Sequence, residues 1–595
     1  MPSSVASALL DTPVGDGIRL LTRRRLLRYP EEEPGYTPRA VVGSTEQKAI
    51  EKPDEHNVAH RPPSPNDLQP ATSNPGADQA ATSTASSRSS SCTLRPPERL
   101  NIVDWEGPCD PANPLNWPLG KKLWVSWCIG FATFAVYIGG SITTTSYSAL
   151  MNEFGIVEQE AFATMSLYIF AYGAGALFFS PLSEMHQLGR NPPYYVPLLI
   201  AVGLQVGAAT TPTFAGLVIL RFLVGFLGAP LLATGGASIA DVWGIKKLPV
   251  ALCFIWVLPS FSAPGLAPIF TVNAVERFGW RWSMWIHLMF LSVGAVLILL
   301  CPETSADNLL HRRARRLRRL TGDETLRTRA EVLGAGKSSR ALLYEALAIP
   351  FKVALLDPSI LFCHVYIALC YAVFFSFFDV FPLVFGEIYH FPTDSQALIF
   401  LCDVAGSSLG ALGYASYQLL YMFPLVRNKG MPVVERRLEP ALVSSIMASV
   451  GLWIFAWSAY PQAHWMGPTV GATLFVVSNI VTFQCVFYYL ILSYPKYAAS
   501  VLAGSDFARS SLAAGVVHGA TPLFRSSAGI HGGVSLLAGL AACGIVGIWT
   551  LYLCGAKLRA RSRFTGGEGE EESGLGHVAE EAIEVNEQAR GEAQA

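Results

Sequence analysis

The sequence carries little charge and lacks the metal-binding motifs that mark many enzymes. Only 15% of its 595 residues are charged, whereas 51% are hydrophobic, which excludes an ordinary soluble protein. It contains no HExxH or clustered Cys/His pattern, so we expect neither an enzyme nor a metal site, and no cofactor. A net charge of -1 at pH 7 gives no reason to expect nucleic acid as a partner.

Paired cysteines and a signal peptide are also missing. The 11 cysteines form no CxxC pair, and most lie inside apolar runs, so we interpret them as small packing residues. The N-terminus has no apolar core of signal-peptide length, so we expect the first internal span to direct membrane insertion.

What the sequence does contain is a series of twelve apolar segments. Each is near the roughly 20 residues that a helix needs to cross a bilayer, and each is continuous, which favours helices over barrel strands. The predicted fold class is an all-α polytopic membrane protein with 12 transmembrane helices. The segments lie at approximately 122–145, 162–182, 193–210, 214–240, 249–272, 281–301, 358–386, 396–424, 439–460, 465–491, 497–523 and 532–556.

The regions around these segments divide the chain into five parts. Residues 1–103, rich in Ser, Pro, Ala and Thr, are predicted to be a disordered cytosolic tail. A basic loop, 302–357, separates six spans in 104–301 from six in 358–556, and we expect part of it to form an amphipathic helix along the inner leaflet. Two bundles joined in this way are typical of a rocking transporter. The acidic end, 557–595, is predicted to be a second cytosolic tail.

The basic residues of the loops predict the orientation in the membrane. With both termini in the cytosol, the outer loops carry only Arg277, Arg281 and Arg525, in agreement with the positive-inside rule. We expect the plasma membrane, with the vacuolar membrane as the alternative, and lipids as neighbours of a monomer. The inner loops then hold the 302–357 loop and Arg190, Lys246, Lys247, Arg427, Lys429, Arg436, Arg437 and Lys496.

The fourth segment carries one charge near each end. Between Arg221 and Asp241 a small residue recurs at every fourth position, which allows close helix packing. Asp241 is predicted to lie at one membrane face. Arg221 lies about a turn and a half inside the other, where a guanidinium needs a partner.

The loop after the second segment, SPLSEMHQLGRNP (180–192), resembles the inner-loop signature of the major facilitator superfamily. In that signature an acid and a Gly-Arg pair lie between the second and third helices, and Glu184, Gly189 and Arg190 match them. Ser180 replaces the usual glycine, and the spacing from acid to glycine is two residues longer than in the common form. With Asp241, these residues form a predicted inner gate that locks and releases the bundles; the alternative is a static surface cluster.

Two further motifs lie in the fourth and fifth segments. LVILRFLVGFLG (217–228) resembles the fourth-helix motif of the superfamily, in which an arginine, here Arg221, lies near proton-binding groups. VLPSFSAPGLAP (257–268) resembles the antiporter motif, although alanines replace its flanking glycines. Its prolines, Pro259, Pro264 and Pro268, predict a bent helix that can repack.

Several shorter stretches look like the fungal drug:proton antiporter family with twelve spans, over roughly residues 104–564. This resemblance implies two six-helix bundles and export of a small organic compound against protons. The matching stretches are NPLNWP (113–118), LATGGASIADVW (232–243), GWRWSMW (279–285), PETSADNLL (302–310), SFFDVFPLVF (376–385), SYPKYAAS (493–500), SDFARSSLAAG (505–515) and GAKLRARSRF (555–564).

Ionisable residues inside the apolar segments are the candidate sites for cargo or proton. Charges at membrane depth usually face a cavity or a partner. Asp379, in SFFDVFPLVF, could bind a proton, a cationic cargo, or both. Asp506 and Arg509, three residues apart on one helix, could neutralise each other or serve coupling. Asp403 occupies a position that we expect to be apolar in the family, so it either serves this cargo or faces water.

Aromatic and amide residues complete the candidate list. Tyr168 and Tyr172 are either packing groups or part of a large apolar cavity. Asn479 and Gln484 could offer neutral hydrogen bonds to cargo or bind a neighbouring helix. The predicted function is proton-coupled efflux of a drug, toxin, secondary metabolite or polyamine by alternating access. The alternatives are an uptake symporter or facilitator and a transporter-like sensor.

Overall fold

The computed structural model of the protein describes residues 10–22, 26–32, 41–42, 101–244, 247–334, 348, 351–352, 356–430, 432–494 and 498–561. Most of both predicted tails therefore lies outside the described residues, as do two of the predicted inner-loop lysines, Lys246 and Lys496.

The described residues form twelve long helices, which we call spans 1 to 12 and which match the twelve predicted segments. Eleven helices among the described residues are long and apolar enough to cross a membrane. Span 11 is not one of these, but its 27 residues are about 40 Å long. The spans are Leu119–Ser141, Ala163–Glu184, Asn191–Thr210, Phe214–Val242, Leu258–Phe278, Arg281–Leu299, Pro358–Phe381, Leu401–Tyr417, Glu439–Ser458, Met466–Ser493, Ala498–Phe524 and Gly529–Arg561.

Shorter helices extend or connect the spans. Three π-helical turns, Leu252–Val257, Pro382–Ile388 and Gln418–Met422, each either include a proline or end two residues before one. Proline has no N–H for the carbonyl four residues before it, which favours such irregular turns. The other short helices are Pro30–Glu32, Pro114–Asn116, Thr144–Ser146, Tyr147–Phe154, Glu158–Ala161, Leu248–Ala251, Arg329–Gly334, Thr393–Ile399, Phe423–Lys429 and Val434–Leu438.

The packing of the spans shows two six-helix bundles with the same internal arrangement. In the first bundle, span 1 packs on spans 5 and 6, span 2 on span 4, and span 3 on spans 4 and 6. In the second, span 7 packs on spans 11 and 12, span 8 on span 10, and span 9 on spans 10 and 12. The bundles meet where span 2 packs on span 11 and span 5 on span 8. An internal repeat that is not visible in the residues is thus visible in the contacts.

A small folded layer covers the end of the first bundle that carries the loop between spans 2 and 3. We call this the inner end, because the predicted cytosolic loops lie there. The layer contains the helices Pro13–Leu21 and Ala306–Thr321 and a sheet of Val41–Val42, Asn101–Val103 and Leu326–Arg327. The middle strand pairs antiparallel with the first and parallel with the third. The sequence analysis did not predict this small sheet, but the described residues are mostly helical, as predicted.

Disorder was a wrong prediction for residues 10–22 and 26–32 of the N-terminal tail. Thr12 accepts a hydrogen bond from the Gly15 N–H (2.9 Å) and so caps the helix Pro13–Leu21, which proline begins favourably. Arg19 forms an ion pair with Glu32 (2.8 Å). Burial raises the pKa of the Glu32 carboxyl, but the hydrogen bonds from Arg19 and the Tyr29 N–H outweigh it and lower that pKa.

The arginine-rich helix Ala306–Thr321 forms as predicted, but acids of this chain pair with its buried arginine. Arg313 forms ion pairs with Glu31 (3.2 Å) and Asp110 (3.1 Å), and a third with Glu106. Arg312 pairs with Asp16 (3.0 Å). These contacts tie the N-terminal segment to the loop between the bundles.

Candidate functional site

The predicted inner gate is only partly assembled, and its ion pair lies within one bundle. Arg190 donates from Nε to Asp241 Oδ2 (3.1 Å) and from Nη1 to Ser183 Oγ (3.4 Å). Burial lowers the pKa of the Arg190 guanidinium, but the Asp241 carboxylate outweighs it and raises that pKa. Glu184 is exposed and forms no ion pair with any described residue. In this conformation the cluster does not connect the two bundles.

Glu303 is the inner-end acid that the motif analysis missed. It is fully buried and accepts hydrogen bonds from the N–H groups of Arg190 (3.0 Å) and Asn191 (3.1 Å), at the start of span 3, and of Thr304 and Ser305. An anion is favourable at a helix N-terminus. Glu303 lies in the stretch PETSADNLL, but nothing in the sequence indicated that backbone N–H groups of the distant residues 190 and 191 would bind it.

Gly189 of the Gly-Arg pair has a steric reason to be glycine. Its φ is +76°, and a Cβ there would lie 2.7 Å from Glu303 Oε2. The positive φ and the close carboxylate both favour glycine. The motif therefore positions the turn before span 3.

Arg221 is fully buried in the first bundle and faces backbone carbonyls and an aromatic ring. Its Nε donates to the Thr164 carbonyl (3.1 Å) and its Nη2 to the Gly139 carbonyl. The guanidinium lies 4.2 Å from the Tyr168 ring, so Tyr168 is a packing and cation–π partner rather than part of the cavity wall. A buried histidine that the sequence analysis missed, His287, lies beside the same ring (5.9 Å).

Span 5 is held by span 1 at its proline-rich part. Pro268 has no N–H to donate to the carbonyl of Pro264, four residues earlier. Ser141 Oγ on span 1 donates to that carbonyl (2.7 Å). Pro259 is the second residue of the regular span, which directly follows a π-helical turn.

Asp506 and Arg509 form the predicted pair, and the arginine also reaches the other bundle. Arg509 Nη2 lies 2.9 Å from Asp506 Oδ1 and donates to Tyr137 Oη on span 1 (2.8 Å). The guanidinium also lies 5.0 Å from the Tyr371 ring and 5.3 Å from the Phe483 ring. The pair is therefore a contact between bundles as well as a local neutralisation.

A tyrosine pair joins the bundles next to this cation. Tyr172 Oη on span 2 and Tyr371 Oη on span 7 lie 2.6 Å apart, and the Tyr137 and Tyr172 rings meet edge to face at 5.9 Å. Tyr172 was a predicted candidate, but Tyr137 and Tyr371 were not. Aromatic residues are too frequent in the spans for sequence alone to distinguish them.

A cavity of about 210 Å³ lies between the bundles and contains Asp379 in its wall. Outer-loop residues also line it, so it lies toward the outer end. Asp379 is buried, and its Oδ2 has no hydrogen-bond partner among the described residues. The lining comprises Thr144, Thr145, Tyr147, Ser148, Met151, Glu158, Phe162, Pro268, Phe378, Asp379, Phe381, Pro382, Leu383, Glu387, Thr393, Gln396, Ala397, Phe400, Thr521 and Arg525.

The remaining candidates do not line this cavity. Asp403 is buried on span 8, beside a separate small pocket. Asn479 and Gln484 are buried on span 10, and within the described chain Asn479 Nδ2 and both side-chain polar atoms of Gln484 have no hydrogen-bond partner. The described residues also contain no group of three His, Cys, Asp or Glu that could hold a metal ion.

Comparisons with known proteins agree with this architecture. Residues 129–518 match the model of the Major Facilitator Superfamily. The MFS-type transporter pyvG of Aspergillus violaceofuscus is 41% identical over 462 residues, which cover 78% of this chain and 85% of that protein. Fluconazole resistance protein 1 of Saccharomyces cerevisiae is 36% identical over 469 residues, with the same coverage of 78% and 85%.

The solved structures show the same fold. The human organic anion transporter MFSD10 superposes with a TM-score of 0.54 over 73% of this chain and 100% of that chain, at 12% sequence identity. Two six-helix bundles, the inner-loop motif and this set of relatives lead to one assignment. The chain belongs to the major facilitator superfamily of membrane transporters.

Proposed function

We propose that this transporter exports a small organic compound in exchange for protons, by alternating access. The observation that carries the proposal is the cavity between the bundles, with a buried carboxyl, Asp379, in its wall. Cargo sites of such transporters lie between the repeats near the middle of the membrane. Export is supported by relatives named for fluconazole resistance and, at 31% identity, cycloheximide resistance.

In this scheme the cavity residue Asp379 binds either a proton or the polar part of the cargo. The cargo enters between the bundles from the inner side and leaves at the outer end, after which protonation of a buried carboxyl resets the transporter. Asp506 is the second acid that binds and releases a proton. Its partner Arg509 also contacts Tyr137 of the other bundle, so separation of the bundles would change the surroundings of Asp506. Arg221 supplies a fixed positive charge, which affects how readily neighbouring titratable groups bind a proton.

The inner gate acts through the same cycle. Arg190 and Asp241 are paired within the first bundle here, and Glu184 is exposed and available to the second bundle in another state. We place the protein in the plasma membrane as a monomer with both termini in the cytosol, which the basic inner loops support.

The first experiment is efflux of fluorescent dyes, azoles and labelled polyamines from cells expressing the protein, with and without an imposed proton gradient. Wild type should export at least one compound in a gradient-dependent manner, and Asp379→Asn should abolish that export because the carboxyl can no longer exchange a proton. Asp394→Asn, at an exposed acid of the outer end, is the matched control.

Three outcomes would contradict the scheme. Accumulation in place of export would indicate an uptake symporter or facilitator. Export that does not depend on the proton gradient would contradict proton coupling. Equal loss in Asp379→Asn and Asp394→Asn would remove the cavity carboxyl from the mechanism.

A further inference from the structure

The helix Pro13–Leu21, in the small folded layer at the inner end, buries a charged side chain and exposes apolar ones. Arg19 is 7% exposed, whereas Leu20 and Leu21 are 74% and 88% exposed. Leu26, shortly after the helix, is 49% exposed. A helix on a water-facing surface normally does the reverse. An apolar surface of this kind indicates contact with another apolar medium.

Contacts within this inner layer explain why the polar side chains of the helix point inward. Arg19 forms an ion pair with Glu32 (2.8 Å), and its guanidinium lies 4.4 Å from the Tyr29 ring. Asp16 forms an ion pair with Arg312 (3.0 Å) on the neighbouring helix. These contacts set the rotation of the helix, so the leucines at its C-terminal end face away from the layer.

The helix begins where the first bundle leaves the membrane. The Asp11 carbonyl accepts a hydrogen bond from the Glu303 N–H (2.9 Å), four residues after span 6 ends at Leu299. The Asp11 carboxylate also interacts electrostatically with Lys121, in the first turn of span 1. From there the helix of nine residues extends only about 13 Å. Its exposed leucines therefore lie within reach of the lipid headgroups.

The charge next to these leucines is positive. Arg28 is exposed, and the sequence LLTRRRLLR (20–28) contains no acid. Its residues 23–25, three arginines in the sequence, lie outside the described residues. Leucine and arginine together are typical of segments that lie in an anionic leaflet. A second copy of the same surface would instead bring like charges together.

We propose that Leu20, Leu21, Leu26 and Arg28 form a surface that binds the anionic phospholipids of the inner leaflet. The leucines enter the boundary between headgroups and acyl chains, and the arginine binds lipid phosphate or carboxylate groups. The ion pair with the helix Ala306–Thr321 then also holds the loop between the bundles at the membrane surface. The inference takes the inner end to face the cytosol, as proposed above, and does not depend on export.

The test measures how deeply the exposed leucines lie in the bilayer, with the purified full chain in lipid nanodiscs. An environment-sensitive dye is attached to Leu21→Cys, and lipids with a nitroxide on the acyl chain quench the dye where it enters the membrane. The same dye at Glu324→Cys, an exposed position of the inner layer, is the control. The nanodiscs contain phosphatidylcholine alone or with phosphatidylserine. Other cysteines that could react are replaced by serine, and these are Cys92, Cys109, Cys543 and Cys554.

Quenching at residue 21 should be stronger than at residue 324 by about threefold or more, because the leucine end of the helix enters the membrane. Addition of phosphatidylserine should increase quenching at residue 21 by about twofold, because the surface is basic.

Two further changes leave the dye in place. Leu26→Ser should reduce quenching at residue 21 by about twofold, because it removes apolar area from the contact. Arg28→Gln should remove much of the phosphatidylserine effect. Arg327→Gln, at an exposed arginine of the small sheet, is the matched control and should leave that effect unchanged.

Three results would overturn the proposal. Equal quenching at residues 21 and 324 would contradict contact with the membrane. Equal quenching at residue 21 with and without phosphatidylserine would contradict the choice of an anionic lipid. Weak quenching together with a dimer in detergent that Leu20→Ser disrupts would assign the surface to a second copy of the chain. None of these measurements involves transport, so failure of the export function would leave them unchanged.

Discussion

The charges at the inner end and those between the bundles are treated differently by the fold. At the inner end, Glu303 accepts four N–H groups, Arg190 pairs with Asp241, and Arg559 pairs with Glu435 in the second bundle (2.7 Å). Between the bundles, Asp379 Oδ2 has no hydrogen-bond partner in the described chain, and the Asp403 carboxyl has only the backbone of Gly265 against it.

We expect this difference to distinguish charges that stabilise the fold from charges that take part in transport. Paired buried charges are costly to break and hold one structure. An unpaired buried carboxyl such as that of Asp379 stays costly until a proton or a ligand reaches it, so we expect its state to change in the transport cycle. Arg509 belongs to both classes, because it pairs with Asp506 and contacts the other bundle.

The largest effect on stability should follow loss of Arg509. Arg509→Met leaves Asp506 buried without its partner and removes the contact with Tyr137, so the free energy of unfolding should fall by about 3–5 kcal/mol. Unfolding of the purified protein in mixed micelles measures it. Arg525→Met is the control, since Arg525 and Glu387 form an exposed pair (3.2 Å), and it should cost less than about 1 kcal/mol. Equal costs for Arg509→Met and Arg525→Met would contradict the expected difference between a buried and an exposed ion pair.

A smaller loss should follow a change at Glu303. Glu303→Gln keeps the size of the side chain but replaces one accepting oxygen by a donor, so the N–H groups at the start of span 3 lose an acceptor. We expect a cost of about 1–3 kcal/mol, measured by the same unfolding assay. Glu324→Gln, at an exposed position of the inner layer, is the control and should not change stability. If Glu303→Gln also left stability unchanged, the charge at this helix start would not contribute to stability.

Removal of the tyrosine contact between the bundles should cost still less. Tyr172→Phe deletes the hydroxyl that lies 2.6 Å from Tyr371 Oη, at about 1 kcal/mol. Because this bond holds the bundles together here, the variant should also expose the interface, as faster proteolysis or faster alkylation of a cysteine introduced there. Tyr195→Phe, at a half-buried tyrosine, is the matched control. No difference between the two variants would contradict a role in closure.

The smallest effect concerns pH and the inner layer. Burial lowers the pKa of His311 from its usual 6.5, and His186 and Arg315 add to this, while Glu331 opposes it. The unfolded chain therefore takes up a proton at higher pH than the folded one, so stability should decrease as pH falls through about 6.5. His311→Gln should flatten that part of the pH profile. An unchanged slope between pH 7.5 and about 5.5 would contradict the assignment to this histidine.

The membrane fold was predictable from the residues because it depends on local composition. Twelve apolar segments of crossing length became twelve helices, since a backbone in lipid must satisfy its hydrogen bonds within each segment. The Asp506–Arg509 pair was also predictable, because its three-residue spacing places both groups on one helix face. The N-terminal helix and the small sheet were not, since their contacts join residues far apart in the chain.

The partners of the charged residues were decided by tertiary structure alone. Arg509 reaches Tyr137, 372 residues away, and Asp403 meets Gly265 of the other bundle. Neither contact leaves a periodic pattern, because each depends on how two bundles pack. The sequence by itself determined which segments cross the membrane and which carry charge. Only the tertiary structure decided which charges are paired and which still need a partner, since pairing is set by the packing of distant helices.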